Sequence, residues 1–172
     1  MEEKIFAATT DEIENVQARV HPLKIILYSG LTVGVLDGIA ATVSSAVRGG
    51  SPIRVFQYIA SGLLGQSAFQ GGLATFSLGL LLHFVIAFGA SVVFIFAARF
   101  IPWISRVPFY LSGPVYGVLV YFIMRDVVIP MSLVTRLNYN ASATAIGIII
   151  HILFVGIPIA FINSRFSKEY TS

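Results

Sequence analysis

The stretch GLATFSLGLLLHFVIAFGASVVFIFAA, residues 72–98, decides the fold class of this chain. It contains no Asp, Glu, Lys or Arg, and it exceeds the roughly 20 apolar residues that cross the hydrocarbon layer of a membrane as a helix. A backbone inside that layer must make its hydrogen bonds internally, as a helix does. The stretch therefore predicts a transmembrane helix.

The rest of the chain has the composition of a membrane protein. Of its 172 residues, 56% are hydrophobic and 11% are charged, whereas soluble domains carry about 25% charged residues. Four hydrophobic windows stand out, at about 24–47, 72–98, 107–129 and 142–163. We therefore expect an all-α, four-span transmembrane helix bundle over residues 23–165, with a C-terminal tail at 166–172.

Residues 1–22 are more polar, and they predict a short amphipathic helix separate from the bundle. Thr9 and Glu12 have the spacing of a capping box, and Pro22 should interrupt the helix just after Val20. The segment lacks the basic start and apolar centre of a secretory signal peptide, so we do not expect it to be cleaved.

Residues 52–64 predict a further helix between the first two spans. Ser51 and Pro52 form a typical helix start. The segment is too short to span the membrane and too apolar for a free loop, so we expect an interfacial or re-entrant helix. The expected apolar face consists of Ile53, Phe56, Ile59 or Ala60, and Leu63. The more polar residues Arg54, Gln57 and Ser61 fall elsewhere on the helix.

The distribution of Lys and Arg predicts the orientation, because cytoplasmic loops carry the excess of these residues. Seven lie on the side of the two termini and four on the other side. On the side of the termini lie Lys4, Arg19, Lys24, Arg99, Arg106, Arg165 and Lys168. On the other side lie Arg48, Arg54, Arg125 and Arg136. Both termini are therefore expected in the cytoplasm.

Three ionisable residues lie at one depth within the spans. Asp37, His83 and His151 are each about nine to eleven residues from the same ends of their spans, which places them roughly 13–17 Å deep. Ionisable groups at such depth are costly, and they commonly mark substrate, proton or ion sites. We expect the three to meet in the bundle interior.

Small residues repeat every four positions along the spans and predict the faces on which the helices touch. In the second span these are Thr75, Gly79, His83, Ala87 and Ser91. The first span carries Gly30, Gly34 and Gly38. The third carries Gly113, Gly117 and Tyr121, and the fourth carries Gly147, His151 and Pro158. Both histidines therefore fall on predicted contact faces rather than toward lipid.

Several functions are compatible with this set of polar residues. A small transporter or channel-like protein would use Asp37, His83 and His151 as a substrate or proton/ion site, since an Asp–His pair can exchange protons near neutral pH. An accessory or scaffold subunit would use the same residues to fasten helices. A third alternative is a redox protein with His83 and His151 as axial ligands of haem b, and a divalent metal held by all three residues is a further one.

Other classes of function receive less support. The chain has no cysteine and none of the common nucleophile or metalloprotease motifs, so an enzyme is not expected. Its basic residues lie between spans rather than in a patch, which argues against a nucleic-acid partner. The expected partners are the lipid bilayer, an unknown small molecule or ion, and further copies of the chain, because four helices make a thin wall for a translocation path.

A second polar site is expected near the end of the third span, at Tyr121, Arg125 and Asp126. Adjacent helical residues point about 100° apart, so the last two need not pair with each other. Arg125 could instead pair with Asp37, or the two charges could simply end the span before Pro130.

Three segments carry a resemblance to a known group of proteins: GLLGQSAFQGGLATFSLGLLLHF (62–84), VYGVLVYFIMRDVVIP (115–130) and HILFVGIPIA (151–160). Together they resemble a group of small bacterial inner-membrane proteins with four predicted helices and, more distantly, the YagU-like membrane proteins. The likeness covers roughly residues 30–165. It implies a bacterial cytoplasmic membrane and four spans, and it implies no activity.

Overall fold

The computed structural model describes the backbone of residues 2–135 and 140–168, and the side chains of 22–101, 103–104, 106–135 and 140–166. This part of the chain is helical, without strands. The main helices are α1 (Glu2–Val47), α2 (Pro52–Leu64), α3 (Gly72–Phe100), α4 (Pro102–Arg106), α5 (Phe109–Ile123), α6 (Ala141–His151) and α7 (Ile157–Lys168). Arg136 and residues 169–172 of the expected tail lie outside the described residues.

Four helical stretches are long and apolar enough to cross a membrane, which confirms the predicted fold class. We call them spans 1 to 4: Pro22–Val47, Gly72–Phe100, Phe109–Val128 and Ala141–Phe166. Their bounds lie within about three residues of the hydrophobic windows. The two agree because the thickness of the hydrocarbon layer sets both the length of the apolar window and the length of the helix. The ends of spans 1 and 4 lie together, where the rings of Tyr28 and Phe166 stack at 5.5 Å.

The prediction of a separate N-terminal helix ending before Pro22 is wrong. Helix α1 is continuous from Glu2 to Val47 and contains Pro22 in its interior. Proline removes one backbone hydrogen bond and usually kinks or breaks a helix. Near the end of a membrane span, however, water or neighbouring groups can satisfy the freed carbonyl. Side chains before residue 22 are outside the described residues, so the expected amphipathic face remains a prediction.

Spans 1 and 2 pack through glycines. The rings of Phe88 and Phe84 occupy the positions where a Cβ would stand on Gly30 and Gly34. In lipid, helices associate by close packing because apolar side chains gain nothing from leaving one apolar medium for another. The predicted contact face of span 2 is correct, since all five of its residues are buried.

Spans 3 and 4 approach each other even more closely. A Cβ on Gly117 or Gly113 would collide with the backbone of residues 151–157. Span 1 lies beside span 4, and span 2 reaches span 3 through Tyr116, whose hydroxyl donates to the carbonyl of Ala90 at 2.6 Å. The buried core of this half of the bundle includes Phe94, Tyr116, Val155 and Ile159.

We call the side of the bundle that carries residues 48–71 and 129–135 the mouth side, and the opposite side the far side. Helix α2 lies on the mouth side with the predicted bounds of 52–64. Its carboxyl end is tied to the segment after span 3, because Leu133 N–H donates to the carbonyl of Gly62 at 3.0 Å.

The expected faces of α2 are partly wrong. Gln57 and Ser61 are buried together with Phe56 and Ala60, whereas Ile53 and Leu63 are exposed. The Gln57 amide donates to the Gly72 carbonyl and to Thr75 Oγ1, at 3.1 and 3.3 Å. Helix α2 thus packs its small and polar residues against span 2 and leaves large apolar residues outside, as the spans do.

Spans 3 and 4 each contain a π-helical turn that ends just before a proline. Met124–Val128 precedes Pro130, and Ile152–Gly156 precedes Pro158. A proline cannot donate the regular hydrogen bond and needs room for its ring, and a π turn supplies a wider local backbone. Both turns carry residues that line the cavity described next.

Candidate functional site

Two cavities lie on the mouth side of the bundle and meet at four residues. The inner cavity has a volume of about 290 Å³, and the outer cavity a volume of about 470 Å³. Both are lined by Asp37, Tyr58, Ile59 and His151. We call these four residues the neck.

The inner cavity is mainly apolar. Aliphatic side chains from all four spans and from α2 line it, and its polar lining outside the neck consists of His83 and Ser132. Val33, Ala87, Val120 and Val155 belong both to its wall and to the buried core. The cavity therefore ends where the close-packed far half of the bundle begins.

The outer cavity is more polar and carries positive charge. Arg48 and Arg54 line it together with Ser44, Ser45 and Ser51. Arg48 donates to Ser44 Oγ at 2.6 Å, and the Arg54 guanidinium lies 5.9 Å from the centre of the Phe69 ring. Within the described part of the chain neither arginine has a carboxylate partner.

The structure places Asp37, His83 and His151 on the wall of one cavity, as their common depth predicts. It does not bring them into direct hydrogen bonds with one another among the described residues. Asp37 is half-buried in the neck, and no described residue hydrogen-bonds or ion-pairs with its carboxyl group. Within the described part of the chain, the Asp37 carboxyl group is therefore available to a ligand that enters either cavity.

His83 is held by span 1. It is 7% exposed, and its Nε2 lies 2.9 Å from the Gly34 carbonyl, so Nε2 carries the proton and donates. The rings of Phe56 and Phe84 pack edge-on against the imidazole, each at 5.8 Å. A Cβ on Gly38 would lie 3.2 Å from His83 Nε2, so the absence of a side chain there makes room for the ring.

His151 bonds within its own helix instead. Its Nδ1 donates to the Gly147 carbonyl one turn earlier, at 2.9 Å. The proton on Nδ1 leaves Nε2 of the neutral ring as an acceptor. Tyr121, which was assigned to the second polar site, packs edge-on against this ring at 5.4 Å. His151 therefore keeps one ring nitrogen available in the neck.

The two cofactor alternatives, haem b and a divalent metal, both involve His83 and His151. No group of three or more His, Asp, Glu or Cys residues in the described ranges is placed to hold a metal ion. For haem, His83 would have to exchange its bond to the Gly34 carbonyl for a bond to iron. The haem b and metal alternatives remain predictions from the sequence, and nothing below depends on them.

The second polar site is an ion pair between neighbours. Arg125 binds Asp126 through Nε and a terminal nitrogen at 2.7 and 2.8 Å. Its guanidinium also lies over the Phe122 ring, 4.6 Å from the ring centre. The alternative pairing of Arg125 with Asp37 is therefore not observed, and both paired charges lie in the π turn of span 3.

Sequence reasoning missed the contribution of α2 to the site. Tyr58 and Ile59 form one side of the neck, between Asp37 and His151 on the spans. The signal was present in the four-residue spacing of Gln57 and Ser61, which is the contact pattern of a membrane helix. Applied to α2, that pattern turns Gln57 toward span 2 and places Tyr58 beside it.

These features define a multi-pass membrane protein with a cavity that ends inside its bundle. Comparisons with protein-family models, with curated proteins and with solved structures find no match to this chain. The function is therefore argued from the cavities and their lining residues.

Proposed function

We propose that this protein is a small transporter whose substrate reaches the inner cavity from the mouth side, with Asp37 as the group that takes up a proton or binds the substrate. The observation that carries the proposal is the position of Asp37, an acid that has no partner among the described residues and lies where two cavities meet. Intramembrane acids in such positions commonly serve transport or proton relay.

The shape of the bundle supports this proposal. The inner cavity extends from the mouth side to Val33, Ala90 and Val155, and beyond it side chains such as Phe94 and Ile159 are packed in the core. A site that is open to one side and closed to the other is what alternating access requires at each stage. The π turns before Pro130 and Pro158 supply points at which spans 3 and 4 can bend, because such turns interrupt the regular helical hydrogen bonds.

A non-transporting scaffold is the second candidate, favoured by one observation. The bond from His83 to Gly34 joins spans 1 and 2 and needs no substrate to explain it. In the scaffold interpretation Asp37 does not control a change of conformation. The two candidates therefore differ in what happens when this acid is replaced by its amide.

Single cysteines test the proposal cleanly, because the chain has none of its own. Ala41→Cys lies in the outer cavity, and Ser29→Cys lies in the packed far half, where Ser29 is 0% exposed. Sealed vesicles are treated with a charged, impermeant thiol reagent from each side. Val85→Cys, on the outer surface of span 2, is the lipid-facing control and should stay unlabelled.

For a transporter, Asp37→Asn mimics the protonated acid and should shift labelling of the two positions in opposite directions. Ala41→Cys should become less reactive from the mouth side as Ser29→Cys becomes more reactive from the far side, or the reverse. If Asp37→Asn leaves both rates unchanged, the transport proposal is wrong and the scaffold is favoured.

The location proposed for this transporter is a bacterial cytoplasmic membrane with both termini in the cytoplasm. The support is the resemblance of three segments to small inner-membrane proteins and the excess of Lys and Arg on the far side. Assembly of several copies remains a prediction from the thin wall of four helices.

A further inference from the structure

The two cavities differ in chemistry in a way that specifies a ligand. The outer cavity offers two guanidinium groups and several hydroxyls, and the inner cavity offers mostly aliphatic side chains. We propose that the site takes a single-chain anionic amphiphile, with its acidic head beside Arg48 and Arg54 and its chain passing the neck into the inner cavity. This inference rests on the proposed function for the location of the site, but binding does not require transport.

The charges favour an anionic head. Because Arg48 and Arg54 have no carboxylate partner among the described residues, their charges are available to a ligand. Guanidinium groups bind carboxylates and phosphates through paired hydrogen bonds. The hydroxyl of Ser44 already orients Arg48, at 2.6 Å. A cationic head would meet two like charges before it reached Asp37.

The distances suit a chain rather than a compact anion. Arg54 precedes Tyr58 by one turn of α2, so the head position lies about 6 Å from the neck along this helix. The inner cavity continues from the neck along span 1 to Val33, one further turn below Asp37. A compact anion would remain in the outer cavity and leave the aliphatic wall without a ligand. A chain would cover that wall.

An apolar chain that passes the neck lies beside the carboxyl group of Asp37. An apolar chain that displaces water from an ionised carboxylate leaves a charge without solvation, which is costly. A carboxylate at the neck therefore opposes entry of the chain, and its replacement by an amide should favour entry. The titratable and charged groups that line the same cavities as this acid are Tyr58, His83, His151, Arg48 and Arg54. Span 3 contributes apolar residues such as Val120 and Met124.

Equilibrium dialysis of the purified protein in a neutral detergent tests the ligand class, with radiolabelled dodecanoate as the probe. We expect saturable binding of one molecule per chain, weakened roughly tenfold or more by Arg48→Gln and by Arg54→Gln. Arg99→Gln, at the far end of span 2, is the matched control and should bind as the wild type does. Equal binding of dodecyltrimethylammonium, or no effect of either mouth arginine, would overturn the proposal.

The position of the chain is tested by filling the inner cavity. Ile86→Trp adds bulk to its wall, whereas Val85→Trp places the same side chain on the outer surface of the same helix. The ratio of wild-type to Ile86→Trp affinity should be larger for dodecanoate than for hexanoate, since only the longer chain passes the neck. Val85→Trp should keep the ratio near one for both probes. A ratio independent of chain length would place the chain elsewhere and reject the proposal.

Two further arms identify the source of the ligand and the role of Asp37. Competition by phosphatidylglycerol in nanodiscs would identify a membrane lipid as the occupant, and its absence would identify a free amphiphile; both results support the class. Asp37→Asn should bind dodecanoate more tightly than the wild type does, because the amide carries no charge for the chain to desolvate. If dodecanoate binds while the thiol labelling shows no change of access, transport fails and the ligand class stands. If labelling changes and dodecanoate does not bind, the ligand class fails alone.

Discussion

His83 and His151 make different hydrogen bonds, and the difference separates their contributions to stability. His83 donates across the interface to Gly34 of span 1 and is almost fully buried. His151 donates to Gly147 in its own helix and is half-buried. His83 therefore joins two helices, whereas the bond of His151 fixes only the orientation of its own ring.

At the residue scale we predict unequal costs of removing the two imidazoles. His83→Ala should lower the free energy of unfolding by about 1–3 kcal/mol, because an interhelical bond and a packed ring are both lost. His151→Ala should cost less than about 1 kcal/mol. Unfolding in mixed detergent and dodecyl sulfate measures both. Equal losses would mean that the Gly34 bond does not hold the helices together.

At the element scale, the contact between α2 and span 2 depends on Gly79. A Cβ at this position would collide with the backbone carbonyl of Phe56, so α2 can lie this close only because the residue is glycine. Phe56 in turn packs against Phe76 at 5.2 Å and against His83. The same contact positions Tyr58 and Ile59 in the neck.

We predict that Gly79→Ala lowers the free energy of unfolding by about 1–3 kcal/mol, as overpacking does in other interiors. Gly89→Ala is the matched control on the same helix, since nothing lies within 4 Å of a Cβ there. It should be neutral or stabilising by up to about 1 kcal/mol, because alanine is the better helix former. Thermal unfolding in detergent compares the two variants, and a neutral Gly79→Ala would contradict the close packing of α2.

At the scale of the whole molecule, the bundle has a cavity-containing mouth half and a packed far half. The orientation of these halves decides which compartment supplies the ligand. The mouth side carries Arg48, Arg54 and Arg125, the last of which is paired with Asp126. The positive-inside rule predicts that the mouth side faces away from the cytoplasm.

We predict that a fluorescent protein fused after Ser172 fluoresces in a bacterial host, as it does only on the cytoplasmic side. Ser67→Cys, exposed on the mouth side, should react with an impermeant maleimide in intact cells. Labelling of Ser67→Cys only after cell disruption would reverse the assignment. The cavities would then open to the cytoplasm.

Much of this fold follows from the sequence, because hydropathy and small-residue spacing are local properties. The four spans, the bounds of α2 and the buried face of span 2 are all readable in this way. The common depth of Asp37, His83 and His151 is readable too, since helical rise converts sequence position into depth. Depth alone predicts that these three residues lie at the same height in the membrane. It does not predict which side chains or backbone groups each of them contacts.

The tertiary structure decided the neighbours. Rotation of each helix and the path of α2 determine that His83 bonds to Gly34, that Asp37 stands without a described partner, and that Tyr58 completes the neck. The pairing of Arg125 with Asp126 lies in a local π turn that hydropathy does not indicate. The sequence by itself determined which residues lie inside the membrane and at what depth, because these depend on composition along one chain. Contacts between helices depend on packing among distant residues, and therefore only the folded molecule could determine them.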